Sequence, residues 1–299
     1  MKPRDLLTLI ALAAVWGSSY LFIRVAVPAF GPWTLVGGRV LLGAVCLGGF
    51  AALLRRPIVL RPIAGRLLVL ALLNAAVPFV LISAAELHIT ASFAAVLNST
   101  TPLFAAAFAV PWMNERLTPG RSVGLLAGVL GVGVMVGWSP VPMSLPTILA
   151  VVAMLAASAG YAAAGIYART HLRGVPTHTL ALGQQLGALA WLALPSVVWA
   201  PRTTPPGAAW LALLALGVVC TGVAYLLYFH LLERIGPTKV TTVTYVIPVF
   251  GILWGVLFLG EQLTGGMAGG LALVLLSMVL VNEVRLPGRL RPPVEGKAS

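Results

Sequence analysis

Charge is what this sequence has least of. Only 9% of its 299 residues are charged, against roughly 25% in an ordinary soluble domain, so most of the chain does not face water. Acids are scarcer still. Seven Asp and Glu stand against 19 Lys and Arg, and Asp5 is the single aspartate. An intramembrane aspartyl protease needs two acids and is excluded. No His-Glu-x-x-His run and no phosphate-binding loop is present, which removes zinc peptidase and ATPase chemistry. Two cysteines, Cys46 and Cys220, lie far apart inside apolar runs. They form neither a disulfide framework nor a metal site, and no cofactor or metal is expected.

What is present is apolar. Hydrophobic residues make up 60% of the chain and the mean hydropathy is +1.01. A membrane helix needs about 20 such residues. Runs bounded by charge, Pro or Gly predict helices over 5–27, 32–54, 66–85, 90–112, 121–138, 146–168, 179–199, 209–232, 239–259 and 265–284. The expected fold is therefore an all-α membrane protein with ten transmembrane helices. The stretch from Leu6 to about Val27 is too long for a signal peptide and reads as a retained first span. The net charge of +12 does not point to nucleic acid, because the basic residues are scattered between apolar runs.

Those basic residues orient the chain. With the N-terminus inside, the cytoplasmic segments hold Lys2, Arg4, Arg55, Arg56, Arg61, Arg66, Arg116, Arg121, Arg169, Arg173, Arg234 and Lys239, while the outer loops hold only Arg202. That is the bias expected of cytoplasmic loops, and it places both termini in the cytoplasm. Residues 285–299 read as a disordered cytoplasmic tail.

The chain also repeats itself. Thr101-Pro102-Leu103-Phe104 recurs as Ile247-Pro248-Val249-Phe250, and the same shift of 146 carries Glu115 to Glu261, Leu117 to Leu263, Thr118 to Thr264 and Gly120 to Gly266. Two units follow, 1–140 and 141–284, each with five spans. An odd number of spans inverts the second unit, the architecture of secondary transporters with a substrate site between the halves.

These residues carry a family resemblance. Trp16-Gly17-Ser18-Ser19-Tyr20, Arg39, the Asn98–Phe104 segment with Asn114-Glu115-Arg116-Leu117-Thr118, and the Pro248 and Gly260-Glu261-Gln262-Leu263-Thr264 segments resemble the EamA domain of the drug/metabolite transporter superfamily. Ala159-Gly160-Tyr161 departs from the Trp-Gly-Ser run at the start of the second copy. The resemblance implies a ten-helix exporter of the bacterial inner membrane. It also implies a cavity lined by helices 1–4 and 6–9, with helices 5 and 10 outside.

Three prolines, Pro78, Pro102 and Pro248, fall within predicted helices and are candidate hinges. Each displaces the backbone bond to the residue four back, here Asn74, Asn98 and Thr244. In lipid such carbonyls are tolerated where protein or cavity water meets them. The candidate substrate-binding set is therefore Trp16, Arg39, Asn74, Phe79, Asn98, Thr101, Tyr161, Gln184, Tyr225, Thr244 and Tyr245. Arg24 is expected to snorkel outward or pair with Glu86. Glu86, Glu115 and Glu261 sit near span ends, and loop or helix-start structure is the expected role of the last two. A neutral to basic, aromatic pocket suits a small polar substrate, with amino acids favoured. Sugars or nucleotide-sugars and lipophilic drugs are the alternatives. Lipid is the other expected partner, ATP and nucleic acid are not, and the expected state is a monomer or weak homodimer.

Overall fold

Gly31 breaks the first helix. Helix α1 runs Pro3–Leu53, and only Gly31 leaves helical geometry, at φ 69° and ψ 163°. Glycine adopts a positive φ without the Cβ penalty, and Pro28 and Pro32 flank it within the helix. The predicted loop at 28–31 is thus a one-residue break. At 1.5 Å per residue α1 would be about 77 Å long if straight, far beyond a hydrocarbon layer of about 30 Å. It doubles back instead. Asp5 pairs with Arg234 at 2.7 Å, Phe30 meets Trp210 edge to face, Trp33 stacks on Trp199, and His178 bonds the Pro57 carbonyl at 3.0 Å. The bundle therefore has an Asp5 end, shared with Pro57 and His178, and a Gly31 end, shared with Trp199 and Trp210.

The computed structural model describes residues 1–113, 118–138 and 141–281. Glu115, Arg116, Glu283 and the 285–299 segment lie outside the described residues. The remaining helices are α2 (Ala64–Ala71), α3 (Val77–Ala85), α4 (Ala91–Asn98), α5 (Thr101–Met113), α6 (Pro119–Gly137), α7 (Leu145–His171) and α8 (Thr177–Val198). They continue as α9 (Gly207–Leu214), α10 (Ala224–Ile235), α11 (Pro237–Val240), α12 (Val243–Leu259) and α13 (Gly265–Val281). No strand occurs among the described residues. Among the described residues, seven helical stretches are long and apolar enough to cross a membrane, and α12 and α13 are shorter apolar helices.

Two stretches widen into π-helix, Leu72–Ala76 between α2 and α3 and Ala215–Val223 between α9 and α10. Neither is visible as a breaker pattern in the sequence. Pro78 follows the first of these as the second residue of α3. Pro102 is likewise the second residue of α5, after the turn at Ser99-Thr100 that separates α4 from α5. Pro248 lies inside an unbroken α12. The prolines within helices also include Pro111 in α5 and Pro195 in α8, so the sequence reading of three was short. Both lie in the last turn or so of their helices, where each removes one backbone bond, to Ala107 and Trp191, close to where the helix stops.

Helices α6 and α13 pack along one another through small residues. A Cβ on Gly131 would lie 3.0 Å from the Gly270 carbonyl oxygen, and one on Gly270 would lie 2.8 Å from that of Gly131. The Ser277 hydroxyl donates to the Gly124 carbonyl across the same seam. Small residues of this kind let membrane helices approach closely.

Candidate functional site

A cavity of about 510 Å³ occupies the middle of the bundle. Its lining runs from Ile23, Ile82 and Ala95 toward the Gly31 end to Ala168 and Thr177 at the Asp5 end, where the exposed Gly165 and Thr241 form its rim. Both halves of α1 contribute, with residues from α2 to α5, α7, α8 and α10 to α12. Among the described residues none from α6 or α13 lines it.

Ten of the eleven sequence candidates meet here: Trp16, Arg39, Asn74, Phe79, Asn98, Thr101, Tyr161, Gln184, Tyr225 and Thr244. Tyr245 does not. Its hydroxyl donates to the Met278 carbonyl at 3.3 Å, and its ring packs against the apolar core. Of the candidate hinges, Pro102 and Pro248 line the cavity and Pro78 does not.

Arg39 dominates the electrostatics. It is 93% buried, and it is the one charged side chain lining the cavity among the described residues. Its Nε donates to Thr221 Oγ1 at 3.2 Å, and its guanidinium carbon sits 4.0 Å from the Phe79 ring centroid. Such stacking holds a cation against an aromatic face. The Thr221 hydroxyl in turn donates to the Leu216 carbonyl within the π-helical stretch. No protein acceptor engages the two terminal nitrogens of Arg39 among the described residues. They form the fork that binds a carboxylate bidentately.

A neutral polar chain crosses the wall beside it. Asn74 Nδ2 donates to Gln184 Oε1 at 2.7 Å, and Gln184 Nε2 donates to the Tyr225 hydroxyl. The π-helical turn carries Asn74, so the irregular backbone and the polar side chain occur together. The Asn98 carbonyl, the last of α4, accepts from Thr101 Oγ1 at 2.9 Å and from Ser158 Oγ at 3.4 Å. These hydroxyls meet the carbonyl that Pro102 cannot.

Tyr20, Tyr228 and Thr221 also line the cavity and were not among the candidates. Tyr20 follows Trp16 by four residues and shares its helix face, a signal available in the sequence. Tyr228 packs on Trp16 at 5.8 Å between centroids and follows Tyr225 by one turn. Only the fold could single out Thr221.

Arg24 departs from expectation. It donates to the backbone carbonyls of Glu86 and Ile89, not to the Glu86 carboxylate. Glu261 accepts from the Ala91 and Ser92 N–H groups, both at 2.8 Å, and so caps α4 from the other half of the chain. Gly260 adopts a left-handed conformation at φ 65°, and the Glu261 N–H returns to the Gly255 carbonyl. This C-terminal turn aims the carboxylate.

The description of the EamA-like transporter family matches the chain twice, over residues 4–137 and 148–283. The chain belongs to the EamA-like transporter family. It is a membrane transporter, not an enzyme. It is similar to the uncharacterized inner membrane transporter YedA of Escherichia coli, at 26% identity over 94% of this chain and 93% of that protein. A probable terminal-alkyne amino-acid exporter of Streptantibioticus cattleyicolor is 24% identical over 94% of this chain and 97% of its own length. A solved crystal structure of a protein at 22% identity shares the fold, with a TM-score of 0.65 over 95% of this chain and 98% of that one.

Proposed function

We propose that this transporter exports small carboxylate-bearing metabolites, with amino acids the leading class, by secondary active alternating access. The observation that carries the reading is the free guanidinium fork of Arg39 in a cavity with no lining acid among the described residues. A substrate carboxylate would meet that fork. The amides of Asn74, Asn98 and Gln184 and the faces of Trp16 and Tyr161 would hold its polar and apolar remainder. A volume near 510 Å³ falls within the usual range for small-molecule sites, about 300–1,000 Å³. The amino-acid exporter among the relatives supports the class.

The architecture in this reading is ten spans in two inverted units, 1–140 and 141–284. Taking the two halves of α1 separately and adding α12 and α13 to the other six long stretches gives ten. The double family match supports the two units. The Asp5 end, which carries Arg56, Arg66, Arg173 and Arg234, would be cytoplasmic by the positive-inside bias. Both termini then lie inside, and the membrane would be the bacterial inner membrane. The cavity's rim would face the cytoplasm, as an exporter loading its substrate requires. The chain would work without ATP, as a monomer or weak homodimer.

Ligand-dependent thermal stabilisation of the purified protein tests the substrate class. Amino acids should stabilise the wild type and not Arg39→Gln. Stabilisation by sugars or lipophilic cations alone would overturn the carboxylate reading.

A further inference from the structure

The geometry points to Glu86 as a proton-binding site whose loading closes the Gly31 end of the bundle. The inference rests on the alternating-access reading and adds what drives one of its two closures.

Glu86 lies just beyond α3. Its side chain is fully buried, and neither carboxylate oxygen has a hydrogen-bond partner among the described residues. Burial without a partner favours the protonated acid. The neighbours are of both signs. Arg24 and Arg39, on the two halves of α1, favour its ionised form, and Glu261, in the turn after α12, opposes it. Tyr20 of α1 is a further titratable neighbour, with Tyr161 of α7 behind it. His88, two residues on, is exposed.

The placement makes the proton consequential. Glu261 is committed to the α4 N-terminus by two 2.8 Å bonds, so it brings a negative charge from the second half of the chain to the Glu86 region of the first. Closing this end over an ionised Glu86 would bury two carboxylates near one another. Protonation of Glu86 removes that repulsion. Arg24, now spent on the Glu86 and Ile89 carbonyls, is within reach to pair with the carboxylate once it ionises. Leu87, the next residue, is exposed, so a small opening of this end wets Glu86. Ile82, one turn earlier on α3, lines the cavity, which ties the acid to the substrate chamber through a single helical turn.

The test uses spin labels on cysteines at Leu87 and Leu263, both exposed at the Gly31 end, with Cys46 and Cys220 replaced, in lipid nanodiscs. The distance between them is read by pulsed electron resonance from about pH 5 to about pH 9. The distance should lengthen as pH rises and stay short in Glu86→Gln, which mimics the neutral acid. Arg24→Gln should move the midpoint upward by about one to three pH units. An independent reading needs no variant: the infrared spectrum at about pH 7 should contain the carbonyl band of a protonated, slowly exchanging carboxylic acid. A distance that does not change with pH, or changes equally in Glu86→Gln, overturns the site. So does the absence of the infrared band. No substrate enters either readout, so failure here leaves the transporter reading to be decided separately by substrate counterflow.

Discussion

The guanidinium of Arg39 lies 4.0 Å above the ring of Phe79, and this contact fixes a buried cation in a cavity otherwise lined by neutral groups. A cation inside a membrane protein is costly and marks function by default. Here its Nε and its face are occupied, and among the described residues no acceptor takes up its fork.

Arg39→Lys keeps the charge and loses the fork. Hydrogen bonds to charged groups contribute about 1.5–3 kcal/mol, so substrate affinity should fall roughly ten- to a hundredfold. Equilibrium binding of a radiolabelled amino acid by scintillation proximity measures this. An unchanged affinity would place the carboxylate elsewhere.

The Asn74–Gln184–Tyr225 chain joins α8 and α10 to the first π-helical turn. Gln184→Leu removes its centre and strands both partners, at about 1–3 kcal/mol for each buried group left unpaired. The thermal midpoint should drop and transport should fall. Tyr225→Phe, which removes one terminal acceptor, should do less of each. Equal damage from the two would show that Gln184 is not the centre.

Glu261→Gln tests the bond between the halves. The carboxylate caps α4, and loss of a good cap costs about 0.5–2 kcal/mol. A lower melting temperature is expected, with substrate binding in the Arg39 cavity unaffected. Gly255→Ala should mimic it, because a Cβ there would fall 2.5 Å from Glu261 Oε2 and 2.2 Å from Ser92 Oγ. A variant as stable as wild type would reduce the cap to a bystander.

The α6–α13 seam offers a contrasting case. Gly270→Val places atoms against Met135 and the Gly131 carbonyl, and overpacking of this kind typically costs about 1–3 kcal/mol. Yield and melting temperature should fall, while transport per folded molecule holds because, among the described residues, none from either helix lines the cavity. Loss of specific activity would implicate these helices in the transport cycle.

How much of this was legible in the sequence follows from what sequence encodes. Hydropathy marks apolar runs, so the helices were found to within a few residues, and the Glu-x-Leu-Thr pattern pointed to the family. Polar or aromatic residues within spans are rare enough that ten of the eleven candidates converged on one cavity. Tyr245 failed because its direction depends on where α12 starts, and that helix begins at Val243 after a break at Thr241-Thr242. Neither π-helical stretch was visible, since a widened turn comes from packing and leaves no breaker residue. Glu261 was read as helix-start structure, and it does cap a helix, but the helix lies 170 residues earlier in the chain. Glu86 was placed near a span end, which it is, but its complete burial was not legible because distance from a span end says nothing of what covers a residue.

The central claim is that one cavity carries substrate across by alternating exposure, without ATP. Solute counterflow tests it most directly: proteoliposomes loaded with an unlabelled amino acid are diluted into a trace of the labelled one. The label should accumulate transiently above equilibrium without ATP in the wild type and fail to do so in Arg39→Gln. Label that merely equilibrates, as through a pore, or that enters only when ATP is supplied, would contradict the account.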